Sequence, residues 1–157
     1  MPKSVPVTVT ATARVSPQRC FDAIVPIDLA AMMQGYGPLP AVRGTRDQVG
    51  PWDTPGSTRV VELADGNELS ERIVAVASPE AFHYRVGPMT GPLGRVVDHI
   101  DGSFLLSQGP AGSTEVSWTY DFRPRRGAAL AVRALAPLWR RYAAQSLARA
   151  VATAEAG

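Results

Sequence analysis

Four side chains in this sequence have the types and the placing to move protons or grip a polar group: Arg59, Glu71, Tyr84 and His99. Glu71 sits in "ELSERIVAV" (68–76), where strict alternation puts it on one face with Leu69 and Ile73. An acidic group among apolar neighbours costs free energy unless it is paired or hydrogen-bonded, and burial raises its pKa. Arg59 in "TRVVEL" (58–63) shares parity with Val61 and Leu63, so it turns inward near one end and can pair with Glu71. Two readings stay open: an ion pair at the edge of an interior that does no chemistry, and a polar contact for a ligand. In "AFHYRV" (81–86) the same rule puts Phe82, Tyr84 and Val86 on one face and His83 towards solvent.

His99 belongs to "DHID" (98–101), and alternation sends Asp98 and His99 to opposite faces. Gly102 is the expected site of a bulge that could flip this register, which leaves a general-base role for His99 open. No second histidine lies near and Cys20 is the only cysteine, so no metal site is expected. "GPLGRV" and "GPAGS" are turns without phosphate-loop spacing, and no Ser-His-Asp set or nucleophile elbow is visible. No cofactor is implied.

Elements that position these groups follow from the pattern. "VPVTVTATARV" (5–15) alternates as a half-buried strand, then Ser16-Pro17 starts a helix through "PQRCFDAIV" that stops near Pro26. Asp28 caps a second short helix, "LAAMMQ", placing Met32 and Met33 at one end of the interior. A meander follows: a strand near 41–49, strands 58–63 and 68–76 joined by the Asp-Gly turn in "ADGN", and 81–86. After the loop "GPMTGPLG" come "RVVDHI" and "SFLLSQ" as one long strand bent at Gly102, and then 114–123. In that last strand Val116, Trp118, Tyr120 and Phe122 alternate with Ser117, Thr119, Asp121 and Arg123. From about Gly127 to Ala154 the chain is rich in alanine and leucine, a long helix with Val132, Leu135, Trp139, Ala143, Ser146, Leu147 and Ala150 on one side. Pro137 should kink or break it.

At 157 residues with 45% apolar and 19% charged content, one domain spanning 1–157 with a substantial core is expected. A formal charge of +2 does not suggest nucleic-acid binding, although fifteen of the sixteen basic residues are arginine. The N-terminal stretch lacks an apolar leader, no run reaches the length of a membrane span, and the lone Cys20 fits a reducing cytoplasm. The arginines of "RPRR" (123–126) and of the last helix read most simply as a solvated face, with transient membrane docking as the sharper alternative.

The order of elements, and above all "PGSTRVVELADGNELSERIVAVASPEAFHYRVGP" (55–88) and "GSTEVSWTYDFRP" (112–124), resembles the SRPBCC superfamily. That superfamily includes START lipid-transfer domains, the birch-pollen allergens and the bacterial polyketide cyclase/dehydrase and lipid-transport-like proteins. The resemblance implies an α+β helix-grip fold: a curved antiparallel sheet of about seven strands around the long C-terminal helix, with two short helices after the first strand. It also implies an internal cavity, at which Arg59 and Glu71 fall where relatives place polar ligand contacts. The residues expected to line it are Met33, Arg59, Leu69, Glu71, Phe82, Tyr84, Trp118, Tyr120, Leu135 and Trp139. A volume of several hundred cubic ångströms is expected, as is usual for small-molecule sites. Three functions fit one such scaffold. The first is a carrier or sensor of a hydrophobic lipid, polyketide or aromatic compound. The second is a polyketide cyclase/dehydratase-like enzyme working through Glu71, Arg59, Tyr84 and His99. The third is an interaction module with a vestigial cavity.

Overall fold

The structure, a computed structural model, describes residues 3–157; Met1 and Pro2, the start of the stretch read for a leader, lie outside the described residues. Strand β1 (Val5–Ala13) leads to helices α1 (Pro17–Ile24) and α2 (Leu29–Met32), whose first turns are capped by the Ser16 hydroxyl and the Asp28 carboxylate. The meander comprises β2 (Val42–Val49), β3 (Thr58–Leu63), β4 (Glu68–Ala77) and β5 (Ala81–Met89). A short helix α3 (Gly91–Val96), β6 (Val97–Gln108) and β7 (Thr114–Pro124) follow, and α4 (Ala129–Ala156) closes the chain. All seven strands form one antiparallel sheet in the order β1-β7-β6-β5-β4-β3-β2.

The sheet curls so that alternate residues meet α4, which packs mainly against β1 and α1. From β7, Val116, Trp118, Tyr120 and Phe122 are buried, while Thr119 on the other face shares a hydroxyl contact of 2.8 Å with Thr8 of β1. From α4, Val132, Tyr142, Ala143, Ser146, Leu147 and Ala150 are buried and Leu135 and Trp139 pack against them. Thr114, fully buried, donates to the Val15 carbonyl at 2.8 Å and ties the end of β1 to β7. Pro137 lies inside α4 without ending it.

Two local expectations are corrected. The segment read as a loop running into a strand at Arg95 instead forms α3, and β6 begins only at Val97. The register shift in β6 falls between Val97 and His99, not at Gly102. Gly102 stands in unbroken register between Tyr84 and Tyr120, and its role is spatial. A Cβ there would lie 2.4 Å from the Tyr84 ring, so the missing side chain lets that ring lie flat across β6.

Replacing Gly102 with alanine therefore pushes the Tyr84 ring out of place. Urea unfolding of Gly102→Ala should show a loss of about 1–3 kcal/mol, the cost of overpacking a filled core. An unchanged midpoint would mean that Tyr84 does not lie over this glycine.

Candidate functional site

Between the concave face of the sheet and α4 lies a cavity of about 120 Å³. All ten residues anticipated from the sequence border it. Strands β3 and β4 supply Arg59, Leu69 and Glu71; β5 and β7 supply Phe82, Tyr84, Trp118 and Tyr120; Met33 closes one end beside Leu135 and Trp139 of α4. Its size falls below the several hundred cubic ångströms expected, because aromatic rings occupy most of the space. Phe104 stacks on Trp118 at 5.1 Å, Trp118 meets Tyr120 edge-on at 5.1 Å, and Tyr120 stacks on Trp139 at 4.6 Å. Such offset and edge-to-face contacts hold the rings in fixed relative positions.

The polar part of the wall begins with a cross-strand pair. Arg59 and Glu71 stand directly opposite each other on β3 and β4, and Arg59 Nε donates to Glu71 Oε1 at 2.8 Å. Both are inside: Glu71 is 6% exposed and the Arg59 side chain 10%. The Trp52 ring, from the loop between β2 and β3, covers the guanidinium with a centroid distance of 3.9 Å. Burial pushes the Glu71 carboxyl above its ordinary pKa, and the neighbouring Arg59 charge and hydrogen bond offset this only in part.

Behind the pair, Trp118 Nε1 donates to the Tyr84 hydroxyl at 2.9 Å, and the Tyr120 hydroxyl neighbours that of Tyr84. Burial pushes both phenols well above their ordinary pKa, and the Glu71 charge adds to this. They are therefore neutral hydroxyls at physiological pH, able to donate a hydrogen bond and unsuited to act as bases. The indole Nε1 of Trp139 is buried with no hydrogen-bond partner among the described residues.

His99 is not brought to this site. It stands on the outer face of the sheet, its Nδ1 2.7 Å from Asp98 Oδ2 and its Nε2 3.6 Å from Asp101 Oδ2. The displaced register before it puts Asp98 and His99 within reach of each other, where plain alternation separates them. Arg85, Arg123 and Arg125 join the same outer network through Asp101, Asp121 and Asp98, so two arginines of "RPRR" are engaged in ion pairs. Cys20 is buried in α1 and its thiol is pushed up to about 11, chiefly by burial, which leaves it protonated and unreactive.

Trp52 and Tyr142 are among the wall residues that the sequence reading did not anticipate. Trp52 lies in an irregular loop with no period to reveal its direction. Tyr142 lines the cavity and ties down the segment after α2, donating to the Pro40 carbonyl at 2.8 Å and accepting from the Gly35 amide at 3.1 Å. The spacing Leu135, Trp139, Tyr142 on α4 was the signal available for it.

A curved sheet gripping one long helix around an aromatic cavity is the architecture of the SRPBCC superfamily. The chain belongs to the family described as polyketide cyclase / dehydrase and lipid transport, whose profile matches residues 4–155. No curated protein sequence matches the chain. Among solved structures, it is similar to ginseng major latex-like protein 151 from Panax ginseng, with 13% identity, TM-score 0.69, and 96% of this chain and 97% of that one covered. Ara h 8.0201 gives 16% identity and TM-score 0.64 over 93% and 97% of the two chains. The protein XoxI from Bacillus cereus gives 14% and 0.68 over 94% of each. At these identities the likeness concerns the fold.

The ion pair yields a prediction. Removing the arginine in Arg59→Met leaves an unpaired buried carboxylate, which should cost about 3–5 kcal/mol at neutral pH. A raised folded-state pKa means that the folded form holds the Glu71 proton more tightly than the unfolded chain does. Stability is then greatest at or below the ordinary carboxylate pKa and falls as pH rises through the folded value. Urea melts of Arg59→Met should therefore recover stability on acidification more steeply than those of the unaltered protein; parallel pH profiles would place Glu71 in water.

Proposed function

We propose that the protein binds a hydrophobic small molecule in the cavity between sheet and α4, as a carrier or sensor. The observation that supports this most is an interior that is apolar and aromatic yet carries polar groups on one wall: Arg59, Glu71, Tyr84 and Tyr120. An interior serving stability alone gains little from a buried ion pair, since well-packed apolar residues do as well or better. The family description, which names lipid transport, agrees with this reading. In it, the Arg59–Glu71 pair recognises the polar group of the ligand, and the rings, with Phe82, Leu69, Leu135 and Met33, contact its apolar body. No helix of the described residues is long and apolar enough to cross a membrane. The lone Cys20, which has no partner for an internal disulfide, agrees with a reducing cytoplasm as the compartment of this activity.

Cyclase- or dehydratase-like chemistry is the second reading. It is favoured by one observation, the meeting of a carboxyl with raised pKa and two neutral phenols at one wall. Glu71 would then serve as the proton-transfer group and the phenols as hydrogen-bond donors to a carbonyl.

Native mass spectrometry of protein purified from its own host should show a bound compound of low mass. The substitution Leu135→Trp, which fills the cavity from the α4 side, should abolish that adduct while leaving the circular dichroism of the fold intact. Retention of the adduct by a folded Leu135→Trp would put the binding site elsewhere. Glu71→Gln should weaken binding of a polar-headed ligand by about 1–3 kcal/mol, the scale of one charge-assisted hydrogen bond. A variant that loses stability but keeps its affinity would make the pair purely structural.

A further inference from the structure

We propose that the outward face of the first half of α4 docks onto a membrane surface rich in anionic lipid, held there by arginines while Leu130 enters the headgroup layer. This concerns the outside of the helix and does not depend on what the cavity holds. Charge is the first support. Between Arg123 and Ala154 the chain has seven arginines and no acidic residue, whereas elsewhere nine basic residues stand against fourteen acidic ones. The formal charge of +2 therefore conceals +7 on this segment and −5 on the rest. Arg123 and Arg125 are engaged in ion pairs on the outer face of the sheet, and the half-buried Arg149 donates to the Met32 carbonyl. Arg126, Arg133, Arg140 and Arg141 are exposed and have no carboxylate partner among the described residues. Arg140 donates to the Thr8 carbonyl at 2.8 Å, a neutral partner that leaves its charge in place.

Placement is the second support. At about 100° per residue, Leu130, Arg133, Pro137, Arg140, Arg141 and Ala144 fall within about 100° of arc and span about 20 Å of helix. All six are exposed, and Leu130, at 78%, is the most exposed of the large apolar side chains among the described residues. On the opposite side of the same turns, Leu135, Trp139 and Tyr142 border the cavity.

The third is chemical makeup. A solvated helix face ordinarily mixes charges of both signs, so that neighbours three and four apart attract. This face holds only guanidinium groups and hydrocarbon, with Gln145 the first neutral polar side chain at its border. Its like charges repel one another in water, and a negatively charged surface removes that cost. Cations interleaved with apolar groups suit a helix lying in the plane of a bilayer interface, where arginine stems run along apolar surface and their heads reach phosphates. A face built for nucleic acid would add hydroxyl or amide side chains for the sugar–phosphate backbone and base edges, and gains nothing from an exposed leucine.

Flotation of the full chain with vesicles, without any added ligand, tests the proposal. At about 0.1 M salt the protein should float with phosphatidylcholine vesicles containing about one-third phosphatidylserine and stay behind with phosphatidylcholine alone. Arg133→Gln combined with Arg141→Gln should weaken binding about twentyfold, since each arginine near such a surface contributes about fivefold. Arg43→Gln combined with Arg72→Gln removes the same charge from exposed sites on β2 and β4, and should change binding about twofold or less. Leu130→Ser should weaken vesicle binding about fivefold while leaving retention on heparin, a polyanion without an apolar phase, unchanged. Every altered side chain is exposed, so circular dichroism should show the fold retained in each variant. Equal binding to both kinds of vesicle, equal losses in the two arginine pairs, or a Leu130→Ser variant that binds as tightly as the unaltered protein overturns the proposal. A short DNA duplex bound more tightly than the anionic vesicles also overturns it, and assigns the arginines to nucleic acid. None of these results bears on the cavity, whose own test is the bound compound.

Discussion

A single helix, about 10–12 Å across with its side chains, cannot cover the concave face of a seven-stranded sheet whose strands lie about 4.8 Å apart. This mismatch of areas governs the molecule. Where α4 runs along β1, small residues such as Ala143, Ser146, Ala150 and Ala154 let the two backbones approach closely. Further round the sheet α4 draws away from the strands, and the gap must be closed by side chains or by something bound. The chain places its largest rings there, on β5, β6, β7 and α4, and closes the rim with α2 and the loop that carries Trp52. The residual cavity is what remains when rings of fixed shape fill a space set by sheet curvature.

Because the gap is lined with apolar surface, every polar group in it must be accounted for. The Arg59–Glu71 pair is costly to desolvate, and one hydrogen bond of 2.8 Å does not satisfy a guanidinium with five donors. Trp52 reduces the cost by laying an electron-rich face over the charge while excluding water. The raised pKa of Glu71 expresses the same balance, in which desolvation outweighs the nearby positive charge. An arrangement so incompletely satisfied suits a site that gains from a ligand more than one optimised for stability alone.

The sheet and its inward residues were legible because alternation is a local rule: Trp118, Tyr120, Tyr84 and Glu71 point inward whatever the sheet's exact curvature. The pairing of Arg59 with Glu71 was anticipated for the same reason, since parity on adjacent strands of a short hairpin limits which side chains can meet. What was not legible depends on three-dimensional neighbours. Gly102 reads as a break in a strand, yet its function is to receive a ring from another strand. Helix α3 is a glycine- and proline-rich turn of six residues, too short for periodicity to show. Trp52 acts from an irregular loop, and the cavity volume depends on ring orientations that no sequence pattern encodes.

The two kinds of polar group also differ in what they ask of a ligand. Arg59 and Glu71 already satisfy one another in part, so a ligand that engages them must compete with an existing ion pair, and its gain there is a difference between two interactions. Trp139 Nε1 has no interaction to lose. A hydrogen bond formed at the ion pair adds only the surplus over the bond it weakens, whereas the indole, enclosed by Trp118, Tyr120, Phe122 and Tyr142, is reached only by displacing those rings. Binding to the folded state alone stabilises it in proportion to the logarithm of ligand concentration over Kd. The stabilisation a ligand brings therefore reports its net affinity alone, whichever wall of the cavity it touches, and a ligand that merely exchanges one partner of the ion pair for another adds little to it.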